Sequence, residues 1–390
     1  MVFGLFPTEA PIRFFRLFAF NFLLFAGFAL LSPFFVLYLQ SIGFTGAEIG
    51  VMAGITPLVT FFGATFWTGL ADLTRRHRMI MTMALLVEIA GYILFPFLRG
   101  FFLILSVMIV INFFFAPVPS FADNAAMFML GEKKEYFGRI RLGGTIGYAL
   151  AAPLAGVLIG IFGLRAGFWS AALAFLLGLF VSRGFVHAHS KASPPNRDGI
   201  RILLANPRWI LFLIVSLSGG LALAAANNYL LPYMKEMGAE TSTMGIALAI
   251  GAVTEIPMLF FGHHLLRWLK PHKLFMLAMA VLGIRLLLFA FGNTPTLILL
   301  VQLLCGFAFS ATWIAGVAYA NQHAPEGMSA TAQGLFGATV VGFGTAIGGF
   351  LGGMLLDSLG GRGLFLIFSC IVLGTVILVA LIEKRLPPEA

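Results

Sequence analysis

Charged side chains are scarce in this sequence. Only 10% of its 390 residues are Asp, Glu, Lys or Arg, whereas 60% are hydrophobic. A soluble domain of this size needs a polar shell, and too few polar residues are present to build one. We therefore expect lipid, rather than water, to surround most of the chain.

Cysteine and metal-binding patterns are also lacking. The two cysteines, Cys305 and Cys370, lie in apolar runs, so we expect them to pack rather than to form a disulfide framework. His263 and His264 are adjacent and diverge by about 100° on a helix, so they cannot share a metal as an i,i+4 pair could. A polytopic membrane enzyme would need a group of catalytic or metal-binding side chains. The sequence predicts no such group, no metal site and no cofactor, so we do not expect an enzyme.

Two further patterns are absent. The segment GFGTAIG (342–348) lies inside an apolar run and follows no strand, so it is not a nucleotide-binding loop, and a primary pump is not expected. The N-terminal stretch leads into a long apolar run without a short hydrophobic region and small-residue cleavage site, so we expect no removed signal peptide.

Long apolar runs between polar segments are present throughout and predict an all-α polytopic membrane protein, because a helix needs about 20 apolar residues to cross a membrane. The runs predict twelve spans, at 14–39, 45–71, 79–98, 101–130, 139–162, 165–185, 208–232, 241–266, 273–291, 295–322, 330–356 and 362–383.

The basic residues are distributed unequally between the two sides of these spans. Nineteen of the 24 Lys and Arg fall on the side of the N-terminus, four (Arg99, Arg165, Lys235 and Arg362) fall on the other, and Arg285 lies within a span. This bias predicts that both termini are cytoplasmic and that the chain lies in the cytoplasmic (inner) membrane. It also accounts for the net charge of +9 without nucleic acid as a partner.

The spans form two groups of six. A polar segment at 186–207 is predicted to link an N-terminal bundle, 1–185, to a C-terminal bundle, 208–390. Residues recur between the halves at an offset of 195, as in Gly43 and Gly238, and of 197, as in Gly163 and Gly360. Two parallel six-helix repeats are the architecture of major facilitator transporters. Glycines at four-residue spacing, among them Gly147 and Gly348, indicate close helix packing, either static or at a seam on which the halves rock.

Several stretches resemble known families. GLADLTRRHR (69–78) resembles the signature loop of the major facilitator superfamily, which implies a gating role for Asp72, Arg75 and Arg76; a positive-inside anchor is the alternative. YFGRIRLGGTIGYALAAP (136–153), TEIPMLFFGHHLLRWL (254–269) and DSLGGRGLF (357–365) resemble the phenylpropionate permease and nucleoside:proton symporter-like families, and more distantly the lactose permease family. The resemblance implies the major facilitator fold and proton-coupled transport.

The lactose permease resemblance implies substrate contacts for Asp123, Arg141 and Tyr148, with a structural ion pair as the alternative for the charged two. Asn112 shares a helical face with Asp123. Asn227 is a further candidate cavity residue. Gln302 and Trp313 stand on the tenth span, where that family has a histidine and a glutamate. We expected most of the 43 phenylalanines to face lipid.

Glu255 and Arg285 lie near the middle of the eighth and ninth spans, at similar depth. A lone carboxylate there favours its protonated form, whereas one paired with a cation stays ionised. In the resembled symporters this acid and this arginine belong to the coupling machinery, which makes Glu255 the leading proton carrier. Glu88, in the third span, is equally compatible with structure and function.

The sequence thus predicts a secondary transporter that moves a small organic solute (an aromatic acid, a nucleoside or a sugar) by alternating access, with protons as the coupling ion. The alternatives are a proton-driven exporter of small amphipathic compounds and a membrane sensor without transport. The expected partners are the solute, protons and membrane lipids. We expect a monomer, because one twelve-helix chain suffices to enclose a site.

Overall fold

The computed structural model describes residues 11–133, 136–186, 197–326 and 328–385, and every regular element within them is helical. Eleven helical segments in these ranges are long and apolar enough to cross a membrane. The last has 55 residues, roughly 80 Å of helix against a hydrocarbon core of about 30 Å. Non-helical backbone at Gly360 divides it into two spans.

The twelve predicted spans are confirmed, with ends that differ by a few residues. They are α1 (Ile12–Ser41), α2 (Gly46–Thr74), α3 (His77–Phe97), α4 (Phe101–Leu130), α5 (Phe137–Phe162), α6 (Arg165–Ser182), α7 (Pro207–Glu236), α8 (Thr241–Leu269), α9 (Pro271–Phe291), α10 (Pro295–His323), α11 (329–359) and α12 (361–383). A short helix, Arg197–Ala205, precedes α7.

Five of the described spans are not uniformly α-helical, and one of them, α3, ends in a 3₁₀ turn at Phe95–Phe97. A 3₁₀ turn at Ser32–Phe34 interrupts α1 at Pro33, and α4 breaks before Val118 at Pro117, because proline lacks the amide hydrogen that continues the ladder. A 3₁₀ turn at Gln302–Leu304 interrupts α10, and α11 is π-helical at Ala338–Gly344. Such irregularities in a membrane helix occur where neighbouring groups satisfy the backbone.

The chain forms two compact units. The first holds Met1–Ile42, Leu58–Ser193 and Glu240–Ala249, and the second holds Gly43–Pro57, Pro194–Ala239 and Ile250–Ala390. The first part of α2 therefore belongs with the second sequence half, and the first part of α8 with the first. Residues 187–196 of the predicted linker lie outside the described residues, and the domain boundary at 186–207 stays a prediction.

The backbone conformation of the two halves shows the same internal repeat as the sequence. Gly43 and Gly238, 195 residues apart, both have a positive φ (90° and 78°), as do Gly163 and Gly360, 197 residues apart (80° and 66°). The two non-glycine residues with positive φ among those described, Arg75 (57°) and Lys270 (61°), are also separated by 195. Left-handed backbone is rare for side chains other than glycine, so its recurrence marks equivalent corners.

Aromatic side chains build the core of each unit, and the recurrence extends to them. In the first unit Tyr38 packs edge-on against Phe168, with 4.7 Å between ring centroids, and in the second Tyr233 packs against Phe365 at 5.3 Å. All four rings are buried. Phe168 and Phe365 are thus core residues and do not belong to the lipid-facing majority expected of the phenylalanines, because buried aromatic edges and faces attract one another.

Glycine allows several helices to approach backbone to backbone. Gly143 of α5 lies against the Phe18 carbonyl of α1, where a Cβ would come within 2.7 Å of the oxygen. Gly348 of α11 lies against α7, where a Cβ would lie 2.7 Å from the Ala224 Cβ and 2.8 Å from the Leu221 Cα. The first contact lies within the first unit and the second within the second unit. Both fit the static-packing interpretation of these glycines.

A matched pair of substitutions tests this close approach. Gly348→Ala is expected to lower the free energy of unfolding by about 1–3 kcal/mol, because the added methyl group overpacks the contact with α7. Gly374→Ala adds the same methyl group to α12 with nothing within 4 Å, and should leave the protein as stable or slightly more so. Thermal unfolding midpoints in detergent compare the two. Equal stability of both variants would contradict the packing described here.

Candidate functional site

A buried arginine–glutamine pair stands at the centre of the second unit. Arg285 of α9 donates from Nη2 to Oε1 of Gln302 on α10 at 2.5 Å. Both side chains are buried, at 4% and 2% exposure, and the guanidinium carbon lies 5.1 Å from the Phe289 ring centroid. The Nε atom of Arg285 is buried without a hydrogen-bond partner among the described residues. The structure thus brings together two residues that the sequence singled out separately.

Glu255 of α8 lies within electrostatic range of Arg285, and both charges act on the thiol of Cys305. Glu255 and Arg285, which the sequence places at similar depth, are therefore close enough to interact electrostatically, and their coupling role stays a prediction. Within the part of the chain that the structure describes, however, the side-chain hydrogen bond of Arg285 goes to Gln302 and not to Glu255. The side chain of Glu255 is half-buried.

The break in α10 positions this cluster. The Cys305 amide donates to the Gln302 carbonyl, which closes the 3₁₀ turn, and the next amide, that of Gly306, donates across to the Thr254 hydroxyl of α8 at 3.1 Å. Gly306 lies directly on the Thr254 carbonyl, and no Cβ fits there. Glu255 follows Thr254 in α8, and Cys305 precedes Gly306 in α10. The contact therefore holds α8 against α10 at the depth of the Glu255 carboxylate.

The first unit contains a second charged pair. Arg141 of α5 donates from Nη1 to Oδ2 of Asp123 on α4 at 3.3 Å, so the two residues form the ion pair that was the alternative to substrate contact, and the substrate role stays a prediction. Their side chains are 54% and 40% exposed, unlike Arg285. Tyr148 is half-buried two turns after Arg141 on α5. The Asn112 side-chain amide donates to the Met108 carbonyl of its own helix at 2.9 Å.

The other predicted binding residues occupy different settings. Asn227 is exposed on α7, beside the buried Tyr229, whose hydroxyl donates to the Gly349 carbonyl at 2.5 Å. Trp313 packs edge-on against Phe309 and Phe336, at 6.3 and 5.5 Å between centroids, so it contributes to the aromatic packing of the second unit.

Among the predicted gating residues, Asp72 pairs with a histidine. Asp72 bonds to Nε2 of His77 at 2.9 Å, whereas Arg75 and Arg76 are exposed. The reason is the left-handed backbone of Arg75, which turns the chain back between α2 and α3. This turn brings the first residue of α3, His77, over the end of α2. The gating role itself stays a prediction.

Glu88 is buried at 2% exposure on α3, and its carboxyl group is hydrogen-bonded to the Tyr92 hydroxyl one turn later. Its Oε2 atom has no partner among the described residues.

The described part of the chain contains no group of three His, Cys, Asp or Glu residues that could hold a metal ion.

Comparison with known proteins assigns the family. The chain matches the MFS_1 like family over residues 14–367. This protein belongs to that family. Within the major facilitator superfamily, its relatives include the maltose permease of Geobacillus stearothermophilus, 24% identical over 369 residues that cover 94% of each chain. The multidrug resistance protein MdtG of Salmonella paratyphi C is 27% identical over 332 residues, which cover 78% of this chain and 80% of that protein.

Solved structures show the same fold. The crystal structure of the nucleoside transporter NupG superposes with a TM-score of 0.86 over 95% of this chain and 99% of that chain, at 18% identity. This member of the MFS_1 like family is therefore an integral membrane protein with the major facilitator fold and a transporter of a small solute.

The buried Arg285–Gln302 pair and the exposed Asp123–Arg141 ion pair of this major facilitator protein should differ in their effect on stability. Gln302→Leu is expected to lower the free energy of unfolding by about 2 kcal/mol, because it leaves a buried guanidinium without its acceptor. Asp123→Asn should change it by less than about 1 kcal/mol, because exposed ion pairs contribute little, but it should reduce solute uptake strongly. Thermal unfolding in detergent and uptake by vesicles measure the two effects. Equal destabilisation by both variants would contradict the assignment of Gln302.

Proposed function

We propose that this transporter is a proton symporter for a small, uncharged, polar solute, with Glu255 as the proton carrier. The observation that supports it most is the hydrogen bond from Arg285 to Gln302. Because the amide holds the guanidinium, Glu255 lies in the field of a cation without being fixed to it by a hydrogen bond among the described residues. A carboxylate so placed changes its proton occupancy when water, solute or Arg285 moves.

The charge balance of both clusters supports an uncharged solute. Arg141 faces Asp123, and the charge of Arg285 is opposed by that of Glu255. A carboxylate solute would need a cation that is not already compensated, so an aromatic acid fits less well than a sugar or a nucleoside. The names of the maltose permease and of the nucleoside transporter NupG support the same two solute classes.

Proton-driven export is the second candidate function. The likeness to the multidrug resistance protein MdtG, which extends over 332 residues, favours it. In everted vesicles an exporter would accumulate an amphipathic dye when the interior is acidified, whereas a symporter would not. Both functions use the same proton carrier, so this experiment tests direction alone.

The remaining partners are part of the proposal. Solute, protons and surrounding lipids are sufficient for this cycle, and we propose that the monomer acts without a cofactor and without catalysing a reaction. The exposure of Asp123 and Arg141 supports a role for that pair in solute contact.

Glu255 is tested with purified protein in proteoliposomes, using whichever of maltose, uridine or 3-phenylpropionate the parent protein transports. Glu255→Gln is expected to retain exchange of labelled for unlabelled solute but to lose uphill accumulation driven by a pH gradient, because the amide cannot release a proton. Glu255→Asp should retain part of the coupling, and Arg285→Ala should impair it. Full gradient-driven accumulation by Glu255→Gln would refute the assignment. Glu132→Gln, which makes the same change at an exposed glutamate outside this cluster, is the control.

We also propose that both termini are cytoplasmic and that the protein lies in the cytoplasmic membrane, as the excess of basic residues on one side supports. Single cysteines are introduced at His189, Glu389 or Thr296 in a background without Cys305 and Cys370; the first two positions lie outside the described residues. An impermeant thiol reagent added to intact cells should label only the Thr296→Cys variant. Labelling of the other two from outside would reverse the orientation.

A further inference from the structure

The N-terminus of α2 is capped by groups from two distant parts of the chain. A local capping box satisfies two backbone amides. The Thr45 amide donates to the Glu48 carboxylate at 2.9 Å, and the Glu48 amide donates to the Thr45 hydroxyl at 3.3 Å. The two amides between them, those of Gly46 and Ala47, donate to the carboxylate of Asp357, at 2.8 and 3.0 Å. One carboxylate thus takes the amides that the local box leaves open.

Asp357 reaches this position from the end of α11, 311 residues further along the chain, and both ends of the contact belong to the second compact unit. Gly46 is necessary for the approach, because a Cβ there would collide with the Asp357 carboxylate and the Gly353 carbonyl. The bonds are charge-assisted and lie at the positive end of the α2 dipole. The Asp357 side chain is exposed, so water can replace the amides when the contact opens.

The internal repeat contains no second copy of this interaction. Thr241 stands at the offset of 195 from Gly46, and Gly160 stands 197 residues before Asp357. At that contact, in the first unit, the Thr241 hydroxyl donates a single neutral hydrogen bond to the Gly156 carbonyl at 2.7 Å. A glycine cannot act as an acceptor through a side chain. The two equivalent contacts therefore differ, and only the contact between α2 and α11 is held by a carboxylate.

We propose that Asp357 is a releasable latch that holds the start of α2 on the end of α11, and that its release accompanies opening of the transporter at this end of the spans. The proton carrier and the solute class play no part in this inference, which applies equally to import and export. The latch restrains a backbone, so its loss shifts the balance between closed and open forms without altering the charged clusters described above.

Distances between spin labels test the latch directly. Labels on Ala47→Cys and Leu359→Cys, in a background without Cys305 and Cys370, report the separation of α2 from α11 by double electron–electron resonance. Asp357→Ala should enlarge the long-distance population roughly three- to tenfold, as expected for loss of two exposed charge-assisted hydrogen bonds. Asp357→Asn, which keeps an acceptor oxygen but loses the charge, should have a smaller effect in the same direction.

Glu48→Gln is the matched control, because it weakens the cap of the same helix end without touching α11. It should leave the distance distribution unchanged. An unchanged distribution in both Asp357 variants, or an equal lengthening in Glu48→Gln, would overturn the proposal. If Asp357→Ala does not fold, hydrogen exchange of peptide 44–50 in Asp357→Asn decides: faster exchange is expected at the amides of Gly46 and Ala47, and unchanged exchange would refute the latch.

Discussion

The hydrogen bond from the Gly306 amide to the Thr254 hydroxyl shows the constraint on which this molecule depends. Inside a bilayer a backbone amide has no water to bond to, so any departure from regular helix needs a partner from a neighbouring helix. That partner allows α10 to break at Gln302–Leu304. The break places Gln302 on Arg285, and Glu255 is then left close to a cation that another group holds.

The same constraint explains why the two charged pairs differ. Arg285 is buried in a helical bundle and needs a precise acceptor, which the amide of Gln302 supplies. Asp123 and Arg141 retain substantial exposure, so their mutual contact at 3.3 Å competes with water and with any bound solute. A buried pair is suited to holding a geometry, whereas an exposed pair is suited to exchanging partners during transport.

Much of the fold could be predicted from the sequence, because apolar run length and the distribution of Lys and Arg are direct consequences of the bilayer. The repeat offsets also predicted equivalent positions, which the paired φ values of Gly163 and Gly360 bear out. Proximity of Glu255 to Arg285 and of Asp123 to Arg141 followed from helix position and family resemblance. Each of these features depends on the type of a residue and on its depth in the membrane, and both can be read from the sequence.

The specific partners could not be predicted, because they depend on backbone irregularity. The 3₁₀ turn in α10 contains no proline to announce it, so the pairing of Arg285 with Gln302 was not foreseen. The left-handed conformation of Arg75 likewise brings His77 to Asp72, a contact that the resemblance to the signature loop does not specify. The cap that Asp357 provides spans 311 residues and leaves no local pattern in the sequence.

The left-handed corners at Arg75 and Lys270 bear on how the chain arose and how it can be altered. Asparagine or glycine would adopt this backbone more easily, yet both halves carry a long cation there. The two corners share a left-handed backbone and a basic side chain, as expected of two copies of one duplicated segment. A chimaera that exchanges α2–α3 with α8–α9 would therefore join without remodelling the turn, although each hairpin would bring its own charges to the new position.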